Sequence, residues 1–200
     1  MNLPPLILAS ASPRRAELLQ GLGVTFQVLP SDASEAHNEE LTAREVSQIN
    51  AYRKARAVAK KFPDALVVGA DTLVYLGTTL FGKPVDTEDA YRMLKELQGQ
   101  THQVVTGVCL TQLRTHRQRI FWESTDVTFR PLEAEEIKNY LAKVNPLDKA
   151  GAYAIQEHGA QIVREISGSF SNVVGLPVER LKAELNLWAK ANATKQEISK

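Results

Sequence analysis

The sequence predicts an α/β protein built on a mixed sheet. Short apolar runs of strand length alternate with segments of helical length and pattern. Two long β-like runs, His102–Leu113 and Arg119–Arg130, follow one another across a polar turn around Arg114–Gln118, which predicts an antiparallel pair among otherwise alternating elements. The chain has 200 residues, 44% apolar and 24% charged, enough for one folded domain or two small lobes sharing a core. Lys and Arg number 24 against 23 Asp and Glu, so the net charge of +1 excludes a broad attraction to nucleic acid or to an anionic membrane, though not a local cationic pocket. A single cysteine, Cys109, excludes an intrachain disulfide and a Cys-rich zinc site. The opening MNLPPLILASASPRR lacks a basic n-region and runs into two arginines, unlike a signal peptide. No apolar run approaches the ~18 residues that a membrane span needs. The expectation is a soluble, cytoplasmic protein.

Leu6–Ala9 suits a buried strand. Ser12-Pro13 then opens a helix, with Ser at the cap and Pro at the first helical position. Leu18, Leu19 and Leu22 form its buried side, and Gly21 or Gly23 ends it. Val24–Leu29 is a second strand. Thr42-Ala-Arg-Glu45 is a capping box for a helix through about Lys61. Ala65–Ala70 is a strand, extended through Leu73–Leu76 to a turn at Gly77. Thr87 caps a helix that ends at Gly99. After the long pair, Glu133–Lys143 is helical and Asn145-Pro146 breaks it. Gly151–Gln156 and Gln161–Ile166 read as extended, with Gly159 between them. Pro177–Trp188 is the last amphipathic helix. The boundaries expected are a domain over 1–188 and a polar, frayed tail over 189–200.

Four segments carry chemistry. The first is a conflict: a helix N-terminus is electropositive, yet this first turn holds Arg14 and Arg15. With Ser10, Ser12 and free backbone N–H groups they could cradle a phosphate; otherwise they face solvent or meet acids elsewhere. The second is Val67-Val68-Gly69-Ala70-Asp71-Thr72, where an apolar strand ends in a carboxylate and a hydroxyl. Ligands gather beyond the carboxyl ends of strands in open α/β sheets, and an acid there can bind a metal or accept a proton from water; it can also simply cap a turn. The third is Gly82-Lys83-Pro84, which holds a lysine in a defined loop without being a Walker A motif. The fourth is Asp148–Gln156, whose small residues allow close backbone approach and whose Gln156 offers a donor and an acceptor, as base recognition needs. A tight turn followed by a strand is the plainer reading.

Lys54 falls between Val46 and Val58 on the helical wheel, so it points inward or snorkels. His37, His102, His116 and His158 show no metal-ligand spacing. There is no Gly-x-Ser-x-Gly elbow, and Cys109 reads as core rather than nucleophile. Trp122 and Phe129 also read as core. Lys60-Lys61 and Arg117–Arg119 read as solvated surface.

Taken in order, Leu8-Ala-Ser-Ala-Ser12-Pro-Arg-Arg15, Leu18-Leu19, Lys54-Ala55, Gly69-Ala-Asp-Thr72, Gly82-Lys-Pro84, His102-Gln-Val-Val-Thr-Gly-Val108, Asp148–Gln156 and Asn172-Val-Val-Gly-Leu-Pro177 resemble the Maf family of nucleoside triphosphate pyrophosphatases, once named for septum-formation inhibition. The resemblance covers roughly residues 6–182. It implies a fold like that of inosine triphosphatases: an elongated, twisted mixed sheet flanked by helices, with two lobes around a cleft, in a homodimer. It implies cleavage of a nucleoside triphosphate to the monophosphate and pyrophosphate with a divalent metal, Mg or Mn. By resemblance Asp71 is the proton acceptor, and Arg14, Thr72 and Gln156 set base choice. Ser10, Ser12, Arg15, Lys54 and Lys83 fall at phosphate positions, and Glu35 with Asp71 at the metal. The Asp-Lys-Ala-Gly-Ala-Tyr-x-Ile-Gln version resembles the dTTP/UTP branch; the alternative is the 7-methyl-GTP branch. An alternative of another class is a nucleotide-sensing regulator of cell division without turnover, against which a carboxylate beside a cationic cluster argues. The implied partner is a small nucleoside triphosphate, with no stable nucleic acid and no membrane. The implied role is removal of surplus or non-standard nucleotides. Two departures stand out: Glu157-His158-Gly159 replaces a common Gly-x-Gly beside the base position, and Ile49-Asn50-Ala51 replaces a usual Arg-Leu-Ala, a change read as one of packing.

Overall fold

The computed structural model describes residues 3–36 and 40–198, with side chains as far as residue 191. His37 therefore lies outside the described residues. The elements are β1 (Leu6–Leu8), α1 (Pro13–Gln20), β2 (Phe26–Val28), α2 (Ala43–Lys61), β3 (Leu66–Leu76), β4 (Thr79–Phe81), α3 (Thr87–Leu97), β5 (Thr101–Gln112), β6 (Arg117–Phe129), α4 (Ala134–Leu141), β7 (Val163–Ser167), α5 (Phe170–Val174) and α6 (Val178–Ile198). The strands form one open seven-stranded sheet in the order β2-β1-β3-β5-β6-β7, with β4 paired to β3. β1 runs parallel to β2 and to β3, whereas β4 is antiparallel to β3 and β7 to β6. The expected α/β mixed sheet is thus present.

The chain divides into two compact units. The first comprises Met1–Asp71, Gly107–Trp122 and Gly175–Lys200; the second comprises Thr72–Thr106 and Glu123–Val174. In the first unit, strand alternation sorts the apolar residues onto two faces. Leu6, Leu8, Leu66, Val68 and Ala70 pack with Leu19 of α1 and with Leu181, Leu185 and Trp188 of α6. Ile7 and Val67 face the other way, against Ala51, Ala55, Val58 and Ala59 of α2. Burial of both faces explains why β1 and β3 read as unbroken apolar runs. Gly69 lies on the α2 face. A Cβ there would collide with the Ala51 carbonyl oxygen and come within 2.7 Å of Ala55 N, so helix and strand approach backbone to backbone. Gly107 does the same against the main chain of Ser47. In the second unit, Ala90, Met93, Leu94 and Leu97 of α3 join Val104, Phe129, Ile137, Tyr140 and Tyr153 in a separate core.

Both predicted helix starts on Pro13 and Ala43 are present, and α2 carries the full Thr42–Glu45 capping box. Ser12 occupies the N-cap of α1, but its side chain makes no capping bond; the Ser10 hydroxyl accepts the Ser12 N–H at 3.2 Å instead. Asp86, not Thr87, caps α3, its carboxylate accepting from Asp89 N at 2.8 Å. Both residue types cap well, and the carboxylate one position earlier takes the role. β4 and α5 are short elements that the apolar pattern does not signal. α6 continues to Ile198, past Trp188, where its apolar stripe stops.

The clearest difference concerns Gly151–Gln156, which is not extended. Ala150–Ala152 form a 3-10 turn in which Gly151 and Ala152 have φ of 70° and 64°. Buried Lys149 organises it, its ammonium donating to Asn145 O at 2.6 Å and Asp148 Oδ1 at 2.9 Å and standing 3.5 Å from Glu157 Oε1. A buried cation must be met by acceptors, and gathering three of them bends this segment away from strand geometry. Cys109 is fully buried, with its thiol pushed up to about 12, as a core residue should be. Phe129 is core as well. Trp122 is only half-buried, its ring under the Arg44 guanidinium at 4.6 Å. The Arg117–Arg119 cluster is less solvated than expected: Arg117 stacks on Trp188 at 4.2 Å and Arg119 pairs with Glu184 at 3.0 Å.

Candidate active site

Alternation along β3 places Val67, Gly69 and Asp71 on one face, the face that α2 covers. The glycine seat brings α2 close, and Asn50 and Lys54, one helical turn apart, share the side of α2 that meets Asp71. Asp71 is 4% exposed, and both of its oxygens are engaged. Lys54 Nζ donates to Oδ1 at 2.6 Å and Asn50 Nδ2 to Oδ2 at 3.0 Å. Lys54 Nζ also reaches Glu35 Oε1 at 2.7 Å, so one ammonium bridges two carboxylates. Lys54 therefore points inward, resolving the ambiguity of its wheel position.

On the other face of the sheet, the Arg15 guanidinium is held by the protein itself. Nε donates to Gly175 O at 2.8 Å, and Nη1 to Ala70 O at 3.0 Å and Ser10 Oγ at 3.3 Å. Burial lowers its pKa from the ordinary arginine value, while the charges of Asp71 and Glu35 raise it and that of Arg14 lowers it. Arg15 thus fastens α1 to the strand residue that precedes Asp71. Arg14 and Ser12, half-buried, lie at the start of the same helix, and Ser10 is buried beneath it. The first unit so brings together Ser10, Arg15, Glu35, Lys54 and Asp71.

The second unit holds Thr72, Lys83 and Gln156. The Thr72 hydroxyl lies 3.0 Å from that of Thr106, which donates to Asn172 O at 3.2 Å. Lys83 is exposed in the loop after β4, and Gly82 O accepts from Gly151 N at 3.0 Å, which joins this loop to the Lys149 turn. Gln156 is exposed in the turn that follows Tyr153. That turn is fixed from below. The Tyr140 hydroxyl both accepts from Ala154 N at 3.0 Å and donates to Ala154 O at 3.3 Å, and the Tyr153 hydroxyl lies 2.8 Å from His102 Nε2.

Sequence reasoning missed Asn50, Thr106 and Lys149. Asn50 was visible as a polar residue within the apolar pattern of α2 but was read as packing. Thr106 and Lys149 sat inside motifs where neighbours drew the attention. Metal-ligand chemistry is carried by carboxylates here; among the described residues no cluster of three or more His, Cys, Asp or Glu gathers. Glu35 and Asp71 supply hard oxygens of the kind Mg²⁺ takes, and such a cation is commonly held by one or two carboxylates together with substrate phosphates and water. The two carboxylates suit that cation chemically, and a cation shared by both would displace the Lys54 ammonium that now bridges them.

An open α/β sheet with a carboxylate buried midway along its central strand β3, paired with a half-buried lysine of α2, and with cationic side chains at the first helix, suits a protein that handles phosphates. The chain belongs to the Maf family: the family profile described as Maf-like protein matches residues 5–188. It is 49% identical over 177 residues to a protein of Alkaliphilus oremlandii named dTTP/UTP pyrophosphatase, covering 88% of this chain and 92% of that one. A protein of the same name from Phocaeicola vulgatus is 49% identical over 184 residues, covering 90% and 94%. One from Bacillus velezensis is 46% identical over 176 residues, covering 88% and 92%. Among the described residues no helix is long and apolar enough to cross a membrane.

Proposed function

We propose that the chain hydrolyses dTTP and UTP to the monophosphate and pyrophosphate. The observation that carries this reading is the Asp71 carboxylate, buried yet bonded at each oxygen by a single donor, so that each keeps a lone pair for a water molecule. Water bound there is oriented toward the α-phosphorus. Its oxygen forms the new P–O bond as the bond to pyrophosphate breaks, and its proton passes to Asp71. Arg14, Lys54 and Lys83 bind the phosphates and offset the charge that develops, the main source of rate in phosphoryl-type transfer. Arg15, with Ser10 and Ser12, supports that cradle from the start of α1. A divalent cation, Mg²⁺ or Mn²⁺, would be held by Glu35 and Asp71 and would supply electrostatic neutralisation of the triphosphate. Thr72 and Gln156, with Arg14, select the base. Thymine and uracil share a carbonyl–imide–carbonyl edge that one amide can read, whereas cytosine replaces an acceptor with a donor. The active species is a cytoplasmic homodimer.

The test is a panel of canonical and modified triphosphates, 7-methyl-GTP included, assayed with and without Mg²⁺ or Mn²⁺, with products separated. Nucleoside monophosphate and pyrophosphate from dTTP and UTP are expected, with little turnover of CTP. Nucleoside diphosphate plus orthophosphate as main products would refute the reaction, and preference for 7-methyl-GTP would refute the specificity. Size-exclusion chromatography with light scattering reads the oligomeric state.

A further inference from the structure

Asn50 is 1% exposed, in the middle of α2, and each of its polar atoms is used. Its Oδ1 accepts the Ala36 N–H at 2.6 Å, and its Nδ2 donates to Ala36 O at 3.2 Å and to Asp71 Oδ2 at 3.0 Å. The amide orientation follows from the partners: one end meets an N–H, the other a carbonyl and a carboxylate. Two of these bonds grip a single backbone residue from both sides, as a strand partner would. That residue directly follows Glu35, whose carboxylate shares Lys54 with Asp71. A packing residue needs none of these bonds, and leucine, an apolar residue of similar size, can make none of them.

We propose that Asn50 is a positioning residue with two tasks: its donor end fixes the rotation of the Asp71 carboxylate, and its acceptor end, helped by the second N–H of the donor end, clamps the loop at Ala36 onto α2. The proposal rests on the reading of Asp71 as the group that receives the water proton. With Asn50 on Oδ2 and Lys54 on Oδ1, the carboxylate plane is held at both oxygens from one side of α2. Loss of the Asn50 donor leaves it held at one oxygen, free to turn about its Cβ–Cγ bond.

Two substitutions separate the tasks. Asn50→Asp keeps the shape and an oxygen for the Ala36 N–H, the bond that amide exchange reads, but sets an acceptor against Asp71 and against Ala36 O. Asn50→Leu removes both ends. Three readouts are taken on the full-length protein: kcat and KM for dTTP with Mg²⁺, amide hydrogen exchange at Ala36, and thermal melting. Asn50→Asp is expected to keep Ala36 protected, leave KM within about twofold and lower kcat roughly 10–100-fold, the range for residues that orient a catalytic ligand. Asn50→Leu is expected to lose both kcat and Ala36 protection while still melting cooperatively. A purely structural role would lower stability and raise KM and lower kcat together. The proposal is overturned if both variants keep kcat within about twofold of wild type while Asp71→Asn is inactive; the reading of Asp71 then stands and that of Asn50 falls. If wild type turns over neither dTTP nor UTP, the functional reading fails instead. The clamp is then judged on exchange alone: faster exchange at Ala36 in Asn50→Leu supports it, and unchanged exchange overturns it.

Discussion

In the first unit, the buried Asp71 and Asn50 and the half-buried Lys54 are charged or bonded to charge, and the bonds join two elements. In the second, His102 and Tyr153 are buried against Phe129 in three mutually edge-on ring contacts, with centroids 4.7–5.4 Å apart, and the pair is neutral. Burial drives the His102 pKa down to about 4 and raises that of Tyr153. Polar atoms are taken out of water in both places, at a cost that bonding must offset. Under the proposed function the first group retains charge because its ligand is charged. The His102–Tyr153 pair is neutral because burial among apolar rings disfavours either charged form, whereas Lys149 of the same unit keeps its charge by meeting acceptors. Substitutions at Asp71, and at the proposed phosphate contact Lys83 of the second unit, should therefore act on turnover, and those at His102, Tyr153 and Gln156 on stability or base choice.

Asp71→Asn tests the contrast most severely. The amide is nearly isosteric but accepts no proton at neutral pH, so kcat should fall about 10²–10⁴-fold, and the melting temperature should fall too because the new amide NH2 faces the donor of Lys54 or Asn50. Retained turnover with verified metal and substrate would remove Asp71 from the reaction. Lys83→Ala should lower kcat/KM for dTTP by roughly 10²-fold, the scale of one lost charge-stabilising donor. Lys60→Ala removes the same charge from an exposed position at the end of α2 and should change nothing beyond about twofold. Equal losses would point to general electrostatics rather than a phosphate contact.

The neutral pair of the second unit should respond differently. Tyr153→Phe alone leaves His102 without its partner and should cost about 1–3 kcal/mol in urea unfolding; the double change with His102→Phe should cost less than the two single changes added, because both polar groups leave together. The pH dependence has a definite sign. The unfolded imidazole binds a proton below about 6.5, whereas the folded one does so only near 4, so between those values the unfolded state holds more protons. Stability should fall as pH drops through that window, and His102→Phe should flatten the fall. A slope identical to wild type would show that His102 is not the group titrating. The smallest effect concerns Gln156→Ala. The ratio of kcat/KM for dTTP and UTP over CTP should narrow by an amount worth about 1–3 kcal/mol, through KM. An unchanged ratio would shift specificity to Arg14 and Thr72.

How far the sequence reveals this molecule depends on the range of the interaction. β1, the capping box at Thr42–Glu45 and the long pair β5 and β6 rest on local patterning, and their order was readable from it. Asp71 and Lys54 are legible because a charge that closes an apolar run, here midway along β3, and a lysine at the rim of an apolar stripe are anomalies within a few residues. Asn50, by contrast, looked like packing because its partners lie 14 and 21 residues away. The bend at Gly151–Gln156 escaped for a similar reason. It depends on Lys149 finding acceptors on Asn145, Asp148 and Glu157, which periodicity does not encode.

The glycine at position 69 has a further consequence. Because α2 rests there on the backbone of β3 and not on a cushion of side chains, the helix has a hard stop. The reach from helix to carboxylate is then a fixed machining tolerance, indifferent to the repacking of apolar residues elsewhere on either element. Drift in the apolar core can alter how firmly the helix sits without altering where it sits. A methyl group at position 69 would act as a shim, lifting the helix bodily and carrying Lys54 away from Asp71 without touching either residue.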